Sequence, residues 1–206
     1  MPRYGVYRAA FEALALPGIA AGLRRFSAAR GLIFTLHRVL PDAPAAFSPN
    51  SILQIRPDFL EAVIVRAREA GFDIVDLDEA TRRIASEDAK PFIVLTFDDG
   101  YRDNLVHALP ILRKHAAPFT LYIPTGLIDG VGLVWWQALE DIIAANDVVV
   151  VEMPEGPHYG DAGTLEQKNT TFAHIYQRYR KMPEPQREAS IRTLAQRYGL
   201  DLGAHC

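Results

Sequence analysis

Cysteine is nearly absent from this chain of 206 residues; the single one is Cys206. An internal disulfide framework and a cysteine-rich zinc finger are thereby excluded. Positive charge is not in excess either: 22 Lys and Arg stand against 25 Asp and Glu, a formal net charge of −3. That balance argues against a nucleic-acid binder, which carries a basic surplus. Long apolar runs are missing. The best, Ala13–Leu23, is broken by Pro17 and Gly18, so no clear membrane span is expected. No internal repeat is visible. What remains is 49% apolar and 23% charged, enough for a core and too apolar for a disordered chain.

The N-terminus places Arg3 and Arg8 ahead of apolar Leu14–Leu23, an order that secretion signals share. Glu12 interrupts that order, and no small-x-small cleavage site follows before Arg24. Two short amphipathic helices over residues 6–28 are expected instead, with a cytoplasmic location favoured over export.

From residue 31 the pattern alternates. Gly31–Leu36 is a short apolar run with β-branched and aromatic residues, which predicts a buried strand. Pro57 suits a first helical turn, and Phe59, Leu60, Val63, Ile64 and Ala67 recur at helical spacing before Gly71. Ile74-Val75 reads as a strand. Asp76 and Glu79 have capping-box spacing for a helix through Ile84. Pro91–Phe97 is the strongest strand in the chain. Pro110 opens or kinks a helix through His115, and Phe119–Ile123 is another strand. Strand-helix alternation implies parallel pairing with right-handed crossovers. Four strands by Ile123 make either half of a closed barrel or an open sheet. The rhythm then changes: a helix over Trp135–Ala145, a hairpin from Val148–Glu152 and Pro157–Tyr159, and two polar helices over 164–181 and 184–198. Their Tyr and Arg residues read as a solvated face.

The chemistry gathers where the strongest strand ends. Sites in parallel α/β folds lie at the C-terminal ends of strands. Asp98 and Asp99 stand there, followed by Gly100. Adjacent carboxylates raise each other's pKa unless something positive compensates, and a divalent metal is one such partner. Gly100 permits a tight turn that swings both towards one pocket. A helix N-cap would explain one Asp but not two. A haloacid-dehalogenase-like phosphatase also places Asp after a strand. It needs a second Asp two positions on, where this chain has Gly100.

Leu95-Thr96-Phe97-Asp98-Asp99-Gly100-Tyr101 resembles the first motif of the polysaccharide deacetylases, the NodB-homology group or carbohydrate esterase family 4. Asn104, Pro110-Ile111-Leu112 and Phe119–Gly126 continue the likeness, which covers roughly residues 31–140. The resemblance implies an α/β fold of partial (β/α) barrel type. It implies hydrolysis of acetyl groups, C–N amide bonds, on acetylated oligo- or polysaccharides such as chitooligosaccharides, with a divalent metal, commonly zinc. Carried over, Asp98 is the catalytic base and Asp99 a metal ligand. His37, in Leu36-His37-Arg38-Val39, matches a histidine that some members carry near the N-terminus, and is the candidate acid. Its alternative is a histidine hydrogen-bonded in the loop after a strand. Arg38 pairs with a pocket carboxylate or makes an exposed salt bridge. Tyr101 and Trp135 are the candidate substrate-binding residues; Trp135 and Trp136 either stack on sugar rings or pack in the core.

Three segments follow: an N-terminal helical segment at 1–30, the N-terminal part of a deacetylase domain at 31–145, and at 146–206 a hairpin and helical insertion or the truncated remainder of that domain. The family's second motif, with two histidines for the metal, has no counterpart. The six histidines are 37, 107, 115, 158, 174 and 205, and no His-x-x-x-His occurs. His205 reads as a tail residue. The competing expectations are therefore a metal-dependent deacetylase and a truncated or degenerate relative that binds carbohydrate or a partner without turnover.

Overall fold

The structure is a computed structural model that describes residues 30–86, 90–153 and 156–205, without the side chains of 204 and 205. The helices expected over 6–28 lie outside the described residues, as does the side chain of His205.

Two strands carry the first half. β1 (Gly31–Leu36) runs parallel to β5 (Phe92–Phe97), in a register from Gly31 opposite Phe92 to Leu36 opposite Phe97. All six residues of β5 are buried, as a central strand covered on both faces requires. At the start of the ladder the Phe92 ring lies across Gly31, within 2.4 Å of where a Cβ would stand.

The other edge of β5 is shared. β4 (Asp73–Ile74) pairs with its first two residues and β6 (Thr120–Leu121) with its last two, both parallel. The hydrogen bonds show the division. The N–H groups of Phe92 and Asp98 donate towards β1, whereas the carbonyls of Ile93 and Phe97 accept from Val75 and Tyr122. The four predicted strands thus lie in one parallel sheet, but that sheet is open. β6 is shorter than expected because the chain leaves β5 after Leu121. A further parallel bridge, β2 (Arg38–Val39) with β3 (Gln54–Ile55), has no hydrophobic run to announce it.

One sheet face is well covered. Ile93, Leu95 and Phe97 pack with Leu60, Ile64 and Ala67 of α1 (Pro57–Glu69) and Leu112 of α3 (Leu109–Lys114). Phe59 belongs to the periodic set yet is 57% exposed, since the buried stripe runs through 60, 64 and 67. A π-turn, Asn104–Ala108, leads into α3. On the opposite face Phe92 and Val94 meet Val75, Leu77 and Ala80 around α2 (Leu77–Ile84). Asp76 caps α2 by accepting from the Glu79 N–H at 2.7 Å. The Glu79 carboxylate turns instead to Arg82 and Arg83, so half of the expected capping box forms. On this second face the exposed side chains belong to β1, where Ile33 is 58% exposed.

After the short α4 (Thr125–Ile128) the second half builds its own core. α5 (Trp135–Ala145), the antiparallel hairpin β7 (Val148–Met153) with β8 (Gly156–Asp161), α6 (Leu165–Tyr179) and α7 (Glu184–Tyr198) enclose Leu139, Ile143, Val151, Ile175, Tyr179 and Ile191. Each such fully buried side chain is worth about 1.5–3 kcal/mol of transfer free energy. Thr164 and Gln167 form a complete capping box at the start of α6. Tyr179 does not lie on a solvated face: it is fully buried, its hydroxyl bonded to Ser190 Oγ at 2.8 Å. The halves are tied by buried Glu140, which accepts from the Asn50 N–H at 2.8 Å and Ser48 Oγ at 3.2 Å. Among the described residues no helix is long and apolar enough to cross a membrane.

Candidate active site

Asp98 continues the face of the sheet that carries Val94 and Thr96. The backbone then reverses. Asp99 has φ +69° and Gly100 has φ +67°, two consecutive left-handed residues. For a non-glycine residue that conformation costs about 1–2 kcal/mol, and strain of this kind is kept where geometry matters for function. Strand alternation alone would send Asp99 to the face opposite Asp98. The reversal instead brings both carboxylates to a cleft of about 560 Å³, lined also by Thr35, Thr96, Ile33 and Tyr122. Asp99 borders in addition a second cleft of about 510 Å³ beyond the strand ends, with Arg38, Tyr101, His107 and Gln137.

His37 follows β1 in register with Asp98, and its Nδ1 lies 3.2 Å from Asp99 Oδ2. The two side chains are 26% and 17% exposed. Burial pushes the Asp99 pKa up, the His37 imidazole works against that rise, and Asp98 adds to it. The carboxylate of Asp98 has no hydrogen-bond partner among the described residues and faces the cleft. The paired acids therefore differ: Asp99 is held by an imidazole and, among the described residues, Asp98 is not.

Around them lies a network the sequence did not announce. Arg38 Nε donates to Asp103 Oδ2 at 2.9 Å, which settles the choice for Arg38 in favour of a buried carboxylate. Its guanidinium sits 4.6 Å from the Tyr101 ring centroid and 3.5 Å from Gln137 Oε1. The Tyr101 hydroxyl accepts from Trp136 Nε1 at 3.0 Å, and burial pushes its pKa up to about 12. Of these, Asn104 and Trp136 were marked in the sequence, whereas Asp103 and Gln137 were missed; four-residue spacing from Asp99 is the only sign that Asp103 belongs here.

Trp135 is 8% exposed, packs in the second core against Tyr176 and Tyr179, and borders neither cleft. Its neighbour Trp136 is the one that reaches the site. His115 caps α3 and contacts Glu61 at 2.7 Å, away from the cleft. His158 and His174 stack on one another at 4.5 Å in the second half.

A resident zinc needs three or four protein donors. Among the described residues no group of three His, Cys, Asp or Glu side chains is placed to hold an ion. Asp99 and His37 supply two donors that are engaged with each other, so these residues do not by themselves fit the metal.

An open parallel sheet whose central strand ends in two clefted carboxylates, one paired with an imidazole, defines a candidate hydrolytic site. Residues 85–200, more than half of the chain, match the polysaccharide deacetylase family, and the chain belongs to that family. The match runs from just before β5 through α7 and leaves His37 outside it. Two solved structures are similar. One is a de-N-acetylase from Aggregatibacter actinomycetemcomitans, 18% identical over 61% of this chain and 59% of that one, with a TM-score of 0.42. The other is the Streptococcus pyogenes deacetylase PplD in complex with acetate, 26% identical over 54% of this chain and 50% of that one, with a TM-score of 0.38. The likeness thus spans 59% and 50% of those two chains. No curated protein matches.

Proposed function

We propose that this chain carries the acid–base half of a deacetylase centre, removing acetyl groups from the amino sugars of an oligo- or polysaccharide. The observation that supports this reading is the pair Asp98 and Asp99 at one cleft, with Asp99 held by His37 and Asp98 without a hydrogen-bond partner among the described residues. An acetamide entering the cleft would meet a carboxylate able to accept a proton from attacking water. His37, when protonated, can return a proton to the leaving amine. The exposed cleft wall at Tyr122, 50% accessible, offers an aromatic face to a sugar ring.

The metal dependence of the family belongs to the same proposal in a reduced form. Asp99 would give one donor to a zinc ion, and the remaining donors would have to come from outside the described residues. No step is derived through such an ion.

The test is acetate release from N-acetylglucosamine oligomers, with and without added zinc. Asp98→Asn is expected to lower the rate by about 10²–10⁴-fold, the usual worth of a general base. An unchanged rate in that variant removes the reading. The incomplete donor set favours one alternative, a relative that binds carbohydrate without turnover. Retained oligosaccharide binding with no acetate release under any metal would select it.

A further inference from the structure

The β1–β5 ladder stops short of the site. Its last bond runs from the Asp98 N–H to the Leu36 carbonyl, 2.8 Å. Past it, three consecutive residues are gripped by one turn of the other segment. Asn104 Nδ2 donates to the His37 carbonyl at 3.0 Å, Arg38 Nε donates to Asp103 Oδ2 at 2.9 Å, and the Val39 N–H donates to Asp103 Oδ1 at 2.8 Å. Asp103 and Asn104 are 8% and 7% exposed. A carboxylate that deep persists only with its oxygens engaged, and here a backbone amide takes one and a guanidinium the other.

We infer that Asp103 is a positioning residue: it fixes residues 37–39 so that the His37 imidazole meets the Asp99 carboxylate. Asn104 holds the same residue by its carbonyl. Both reactive carboxylates and the side chain that places their imidazole partner therefore come from residues 98–103. The inference deepens the deacetylase reading, on which it rests for what His37 does; the placement itself is independent of turnover.

NMR on the whole chain tests it. In the wild type the Val39 amide should exchange as slowly as the amides of β5. Asp103→Ala should speed exchange at Val39 by roughly ten- to a hundredfold, the worth of a hydrogen bond to a charged acceptor. It should also shift the His37 imidazole ¹⁵N resonances while the amides of Val94–Phe97 keep their rates. A merely stabilising ion pair would instead loosen all of these amides together, and that outcome overturns the inference. So does an unmoved His37 signal in folded Asp103→Ala. Free exchange at Val39 in the wild type overturns it with no variant needed. Should Asp103→Ala fail to fold, Asp103→Asn keeps the shape but can accept only one of the two bonds, and the same His37 shift is expected; its absence overturns the inference. Failure of the wild type to release acetate would count against the deacetylase reading and leave these signals as they are.

Discussion

Strand β5 and helix α5 are the most enclosed elements of their respective halves, but they are enclosed differently. Around α5 the hairpin, α6 and α7 close on a shared core, and Leu139, Ile143, Val151, Ile175 and Tyr179 are shut off from water. Around β5 the helices α1 and α3 pack on one face and α2 packs on the beginning of the other. Beyond α2 on that face, Thr35, Thr96, Asp98 and Asp99 line one cleft. The second half spends its apolar residues on its own stability. The first leaves Ile33, Tyr122 and Ile123 half exposed beside a polar cleft, the arrangement of a surface meant to receive something.

The contrast can be broken most forcefully in the second half. Ile143→Ala removes a fully buried side chain and should cost about 2–5 kcal/mol, read from urea unfolding. A loss near zero would mean that this core is not as closed as its packing implies. In the first half, Asp99→Asn should act in the opposite direction. Burial raises the pKa of Asp99, so its protonated form is the one the fold favours. The contribution of Asp99 to stability is fully present below its ordinary carboxylate pKa and lost as pH rises through the raised one. At pH 7 the neutral Asn escapes that penalty and Tm should rise by a few degrees; in strong acid the gain should vanish. A lower Tm at pH 7 would show that the His37 contact outweighs the burial.

A weaker test concerns His158, whose pKa is lowered by burial first and by His174 second. A lowered pKa in a histidine favours the neutral form in the fold, so stability is held above about pH 6.5 and lost as pH falls through the lowered value. His174→Gln should lessen that acid loss, and an unchanged pH–Tm curve would exclude the pair as its source. Smallest of all is Ile33→Ser. Exposed on β1, Ile33 should contribute within about 0.5 kcal/mol, and its replacement should mainly reduce self-association in light scattering.

Local pattern carried much of this to the reader of the sequence. β1, α2 and α5 form with the predicted bounds, because an apolar run, an Asp cap and helical spacing act within a few residues. Pairing across the chain was less visible. Nothing near residue 31 says that β1 lies beside β5 rather than β4, and nothing near residue 38 says that Arg38 will meet Asp103. Asp98 and Asp99 were legible from their motif, and the cleft brings them together. The placement of His37 was half legible, as one of two readings. Trp135 and Trp136 could not be told apart, since adjacent helical residues differ by about 100° and only the packing decides which faces the core.

The Phe92 ring over Gly31 acts on all of this from the far end of the ladder. Strand pairing admits slippage, and a shift of one residue exchanges every side chain between the two faces. Here such a shift would press Leu32 into the buried ring at the place only a hydrogen occupies. At the other end it would turn His37 from the face of Asp98 to the side of α1. A missing methyl group thus sets the phase of the strand, and the meeting of imidazole and carboxylate six residues away depends on that setting.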